Sequence, residues 1–249
     1  MEEILKQQKR RRNGSIVSGR LLQILSILSV LAIAPIAGRA GTIIHFDTTV
    51  AGFDVELFDS VMPITVTNFL SYVNAGAYSS SLIHRSTTYN PADIQIAQGG
   101  GYELLGNNLE SIVTNPPIVL ELGAATNDRG TIAMARGAAT DSATSQYFFN
   151  IQSNPALDGN YAVFGWVLGA DGLAALDAIG AVPVYDCSTQ LGAAFSELPL
   201  VAPSLAASSL VLVNAVTVVP EPATMLLVAV GLVAAVAVRR RSKGTTLET

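Results

Sequence analysis

The chain has 249 residues, half of them apolar, with a formal charge of −5 and a single cysteine, Cys187. Between residues 41 and 219 three cations, Arg85, Arg129 and Arg136, face fifteen carboxylates, which makes that span −12. A body so acidic is repelled by phosphate backbones, so nucleic acid is excluded as a partner. One cysteine and two histidines leave neither an internal disulfide nor the ligands of a structural zinc site.

The chain opens on a basic stretch, Lys6 and Lys9 to Arg12, then an apolar run from Leu21 to Ala37 and the small residues Gly38 and Ala40. That order predicts a secretory signal peptide over residues 1–40, with an uncleaved anchor as the alternative. The body, residues 41–219, is long enough for one domain with a sizeable core. Strands are predicted at 42–46 and 53–58; in the second, Phe53, Val55 and Leu57 alternate with Asp54 and Glu56, the period of a half-buried strand. Pro63 opens a helix with Val66, Phe69, Leu70 and Val73 at helical spacing, ended by Asn74-Ala75-Gly76. Short strands follow at 94–97, 130–135, 146–151 and 161–167, then a short helix at 172–179 and a last strand at 210–218. Many short strands with two brief helices predict a closed antiparallel barrel, mainly β, rather than a parallel α/β sheet.

After the body, Val219-Pro220-Glu221-Pro222 leads into an apolar run from Ala223 to Val238 and then Arg239-Arg240-Arg241. The run predicts a membrane helix of about 24 Å, with the arginines on the cytoplasmic side. A Pro-Glu-Pro tripeptide, a short apolar helix and an arginine cluster together resemble the PEP-CTERM sorting signal. The resemblance assigns 220–243 to that signal, with its transmembrane helix at 223–238, and leaves 244–249 as a tail. It implies processing by an exosortase-type enzyme, and an exported body held in the inner membrane by the helix.

Within the body, several stretches occur in a telling order. Phe53-Asp54-Val55-Glu56-Leu57-Phe58 precedes Asn68-Phe69-Leu70, then His84-Arg85 and Gln98-Gly99-Gly100. Gly130-Thr131-Ile132-Ala133-Met134-Ala135, Ser145-Gln146-Tyr147-Phe148-Phe149, Leu157-Asp158-Gly159 and Tyr161-Ala162-Val163-Phe164-Gly165 complete the set. Taken together they resemble the cyclophilin-type peptidyl-prolyl cis-trans isomerases. The resemblance implies a closed eight-stranded antiparallel barrel capped by two helices. It also implies isomerisation of X–Pro bonds in proline-containing polypeptides outside the cytoplasm, with no cofactor and no metal. The alternative is a catalytically weak module of the same fold that binds proline peptides or serves a structural role at the cell surface.

By position, the resemblance makes Arg85, Gln98 and Phe148 the catalytic residues: a cationic donor, a support for the substrate backbone and the floor under the proline ring. Gln146 would share the backbone contact, Ile96 and Leu157 would wall the pocket, Ala135 would offer a backbone contact and Tyr161 would stand at the edge. The sequence departs from the family at two places. Twelve residues separate Arg85 from Gln98 where the family usually has about seven, and the family's aromatic wall falls on Gln95. Arg136, beside Ala135, adds a second cation near the expected groove.

Overall fold

The computed structural model describes residues 41–87 and 94–220. The expected signal segment, the apolar stretch 223–238 and most of the insert between Arg85 and Gln98 lie outside the described residues. Among the described residues no helix is long and apolar enough to cross a membrane.

In chain order the elements are β1 (Ile43–Thr48), β2 (Phe53–Leu57), α1 (Pro63–Asn74), β3 (Ser81–Leu82), β4 (Arg85–Ser86), β5 (Ile96–Gly99), β6 (Tyr102–Leu105) and β7 (Asn108–Ser111). Then come β8 (Thr131–Met134), β9 (Tyr147–Asn150), β10 (Val163–Val167), α2 (Gly169–Gly180), β11 (Val184–Tyr185), α3 (Ser188–Leu191), β12 (Leu198–Pro199) and β13 (Leu212–Val218). Eleven strands form one curled antiparallel sheet in the order β4-β5-β9-β8-β10-β2-β1-β13-β3-β6-β7, and β11 pairs with β12 separately. The architecture is mainly β, as the sequence predicts. The strand count exceeds eight because β6–β7 and β11–β12 are additional short pairs and residues 81–86 are divided between β3 and β4.

The curl depends on the segment 81–86. Its first half, β3, pairs with β13, while its second half, β4, pairs with β5. Between them, adjacent amides turn opposite ways: Ile83 N–H donates to the Val211 carbonyl at 3.0 Å and His84 N–H to that of Gln98, also at 3.0 Å. One short stretch of chain thus joins strands from distant parts of the sheet.

In β2 the predicted alternation holds, with Phe53, Val55 and Leu57 buried and Asp54 and Glu56 half-buried. The inward side chains meet an aromatic cluster in which Phe46 stacks on Phe53 at 5.3 Å and meets Phe149 edge-on at 5.2 Å. Helix α1 closes one end with Val66, Phe69, Tyr72 and Val73 buried. Phe69 lies 5.1 Å from Phe164 and 5.7 Å from Tyr147. Each such ring contributes far more than a surface contact; truncating a buried phenylalanine to alanine costs about 3–5 kcal/mol. The first turn of α1 lacks a capping side chain of its own. The Glu121 carboxylate takes that place, accepting from the Thr65 amide at 2.9 Å and the Ile64 amide at 3.3 Å. Helix α2 is longer than the predicted 172–179 and buries Ala175, Leu176 and Ile179.

Candidate active site

Residues directly opposite in antiparallel strands project to the same face. The register aligns Arg85 in β4 with Gln98 in β5, Gln98 with Phe148 in β9, and Phe148 with Ala133 in β8. Arg85, Gln98 and Phe148 therefore stand in one row across the sheet, although they come from three separate stretches of the chain. Phe148, Ile96, Ala133, Ala135, Leu157 and Val163 form an apolar cluster distinct from the main core, flanked by Phe58 and Tyr161. Here the sheet packs small and aromatic side chains on its outer surface, beneath a cavity of about 600 Å³.

The cavity is lined by Arg85, Ile96, Gln98, Ala135, Phe148, Leu157 and Tyr161. Of the predicted site residues only Gln146 is not part of the lining. Its Oε1 accepts a hydrogen bond from Gln98 Nε2 at 2.8 Å, so the two amides form one polar edge. Gly101 allows that approach, because a Cβ there would come within 2.9 Å of the Gln146 side chain. Gly100 has φ +75°, and a Cβ would stand 2.7 Å from the Ser145 carbonyl oxygen. The positive φ and the backbone contact together call for glycine at position 100.

Loop hydrogen bonds fix the apolar wall. Asn154 is buried; its Oδ1 accepts from the Gln95 amide at 3.0 Å, and its Nδ2 donates to the Gln95 carbonyl at 3.0 Å and to Asn150 Oδ1 at 2.7 Å. This clamp ties the start of β5 and the end of β9 to the turn 155–157 that carries Leu157. Tyr161 meets Phe148 edge-on at 5.3 Å. The Arg136 guanidinium lies 5.2 Å from the Tyr161 ring centre, and its Nε donates to the Asn160 carbonyl at 2.8 Å. The second cation near the groove is thus part of its lining.

Three lining residues escape sequence reasoning. Ile94 and Thr87 line the cavity, so apolar surface is present where alignment places Gln95. Gln95 itself is held by its backbone to Asn154. Thr87 also gathers the ends of the insert: its Oγ1 donates to the Ile94 carbonyl at 2.5 Å and accepts from the Ile96 amide at 3.1 Å. The third is Glu197, whose Oε2 accepts from Arg85 Nε at 2.6 Å. Arg85 has 43% of its side chain exposed and Glu197 21%. Nothing local announces this pairing, which spans 112 positions.

The neighbouring His84 faces away from the cavity. It is 3% exposed, packs edge-on against Tyr102 at 5.1 Å, and its Nδ1 has no hydrogen-bond partner among the described residues. Burial lowers its pKa to about 4; the nearby Leu82 carbonyl opposes that shift and the Arg85 charge adds to it. It is neutral at physiological pH. Cys187 is buried too, and burial with the adjacent Asp186 raises its thiol pKa, the reverse of an activated nucleophile. No cluster of metal ligands occurs among the described residues.

Comparison with known proteins accords with this geometry. Residues 43–192 match the family model for cyclophilin type peptidyl-prolyl cis-trans isomerases, and residues 218–241 match the PEP-CTERM protein-sorting motif. The chain is 37% identical over 150 residues to a peptidyl-prolyl cis-trans isomerase of Acinetobacter baylyi, covering 58% of this chain and 74% of that protein. It is 35% identical over 149 residues to peptidyl-prolyl cis-trans isomerase B of Escherichia coli, covering 56% and 85%. A crystal structure of a Cryptosporidium parvum cyclophilin, determined in the presence of the dipeptide Ala-Pro, shares the fold at a TM-score of 0.54 and 21% identity, covering 72% of this chain and 99% of that one. The chain belongs to the cyclophilin-type peptidyl-prolyl cis-trans isomerase family and carries a PEP-CTERM sorting motif at its C-terminal end.

Proposed function

We propose that this protein catalyses cis–trans isomerisation of X–Pro bonds in exported polypeptides, at the pocket framed by Arg85, Gln98 and Phe148. The observation that carries the reading is the row of these three residues beside a cavity with an apolar floor and a cationic rim. Rotation about an X–Pro bond is opposed by amide resonance, a barrier of about 18–20 kcal/mol. No covalent step is needed; the catalyst has only to bind the twisted peptide better than either planar form.

In the twisted form the prolyl nitrogen regains its lone pair and can accept a hydrogen bond. Phe148, Ile96 and Leu157 would receive the ring in a dry pocket. The amides of Gln98 and Gln146 and the backbone at Ala135 would hold the flanking peptide groups. Arg85, bonded at Nε to Glu197, keeps terminal NH₂ groups that carry no hydrogen bond among the described residues. These would donate to the developing lone pair, and a guanidinium that stays charged at all relevant pH suits that role.

The sheet order with its continuous segment 81–86 supports reading β4 with β3, β5, β9, β8, β10, β2, β1 and β13 as the closed eight-stranded ring that the family resemblance implies. The sorting motif suggests export and delivery to the cell surface. Residues 41–219 would then be the isomerase body, 1–40 the export signal, and 223–238 the apolar stretch that holds the chain in the inner membrane until an exosortase-type enzyme processes it.

The deciding experiment measures isomerisation of a proline tetrapeptide by the wild-type protein and by Arg85→Ala. Removing a preorganised donor of this kind costs about 100-fold or more in turnover, so that loss is the expected result. Full activity in the variant would remove Arg85 from the mechanism. Folded wild-type protein with no turnover would leave a proline-peptide binding or structural module of the cyclophilin fold.

A further inference from the structure

The residues between α2 and β13 run mostly beyond the stretch that matches the family model. They make a compact unit of their own. Val184 and Tyr185 of β11 pair with Pro199 and Leu198 of β12, the Cys187 amide donates to the Phe195 carbonyl at 3.0 Å, and the Leu200 amide to that of Pro183 at 2.9 Å. Cys187, Phe195, Leu198, Leu200 and Leu210 share a small core with Leu82 of β3. Phe195 packs 4.7 Å from Tyr102 and 6.5 Å from His84. The unit is seated on the segment that carries Arg85.

From that seat one residue reaches the pocket. The Glu197 carbonyl accepts from the Ser86 amide at 2.8 Å, while its carboxylate accepts from Arg85 Nε at 2.6 Å. Backbone and side chain of Glu197 thus grip two consecutive residues of β4. A long arginine side chain that is nearly half exposed has many rotamers to sample. A bond at Nε removes most of that freedom and leaves both terminal NH₂ groups available. The same carboxylate subtracts from the cationic field. In this partly exposed setting solvent screens the field, whereas a displaced donor loses its effect outright, so orientation outweighs charge.

We propose that Glu197 is a positioning residue for the isomerase reaction, holding Arg85 by Nε so that its terminal NH₂ groups face the proline pocket. The assignment rests on the proposed catalytic role of Arg85, and it gives the segment after α2 a part in catalysis. The Nε–H bond needs an acceptor rather than a charge, so glutamine should substitute where alanine cannot.

The test measures kcat and KM for a proline tetrapeptide with wild type, Glu197→Ala, Glu197→Gln and Arg85→Ala, together with the ¹⁵N resonance of Arg85 Nε. We expect Glu197→Ala to lower kcat about tenfold with KM within about twofold, and Glu197→Gln to restore kcat to within about threefold of wild type. The Nε–H signal should shift in the alanine variant and stay near its wild-type position in the glutamine variant. Both variants keep the backbone bond to Ser86, and a thermal melt establishes that each is folded. Should the alanine variant unfold, the glutamine variant and its Nε–H signal decide the matter. The proposal is overturned by wild-type kcat in Glu197→Ala, by a loss confined to KM, or by Glu197→Gln exceeding wild type, which would make field damping the larger effect. Those failures are separable from failure of the isomerase reading, in which wild type has no turnover, and from failure of Arg85's role, in which Arg85→Ala stays active.

Discussion

Protonation of His84 should set a steep acid limit on stability. The ring is enclosed by Tyr102, Phe195 and the strand segment 81–86, and it titrates near 4 in the fold against 6.5 in a free chain. The unfolded chain therefore binds more protons than the folded one between those values, so stability rises with pH through that window. The stabilisation is fully present above about pH 6.5, falls as the solution is acidified and is lost by about pH 4. For one such group the difference between about pH 7.5 and pH 5 is about 2 kcal/mol. Urea unfolding at both pH values would measure it, with His84→Asn as the partner that cannot titrate. The carboxylates titrate alike in both proteins and cancel in the comparison. Wild type should lose about 2 kcal/mol more than the variant across that interval. Equal losses would show that His84 is hydrated or charged in the fold, contrary to its enclosure by the two aromatic rings.

Removing the borrowed cap with Glu121→Ala strips the acceptor from the Thr65 and Ile64 amides and should cost about 1 kcal/mol, seen as a fall of about 2–4 °C in Tm. Phe148→Leu keeps an apolar side chain and should cost less than about 1.5 kcal/mol in stability. It removes the flat floor, however, and kcat/KM for a proline tetrapeptide should fall about tenfold, a discrimination typical of pocket shape. The Arg129–Asp177 pair at 2.7 Å is well exposed at both ends, so Arg129→Ala should change unfolding free energy by less than about 1 kcal/mol and leave turnover alone.

Much of the fold is legible in the chain because it rests on local pattern. The alternation of Phe53, Val55 and Leu57 locates β2 and Pro63 opens α1, while the grouping of Arg85, Gln98 and Phe148 is legible only through the family resemblance that the short motifs carry. The features that escape a reading of the sequence have a common physical cause. Strands of two residues, such as β3, β4, β11 and β12, are too short for a period of two to show; partners far away in sequence hold them. Alignment puts Gln95 in the wall because it counts back from Gln98. In the fold, Asn154 holds the Gln95 backbone, and Ile94 and Thr87 reach the cavity instead. Glu197 carries no local signal at all, since its seat depends on Phe195 and Leu198 packing against Leu82.

The first and last strands of the body end side by side. β1 begins at Ile43 and β13 ends at Val218, antiparallel to one another, and the Val219 amide donates to the Ile43 carbonyl at 2.8 Å. The two exits of the polypeptide therefore share one pole of the domain. The match to the sorting motif starts at residue 218, inside β13 itself. A leash tied at either end would tether the same pole, with no slack between the last ladder bond and the motif. Pulling on that leash would load the β1–β13 seam first, opening it like a zipper from the end rather than shearing the whole ladder at once.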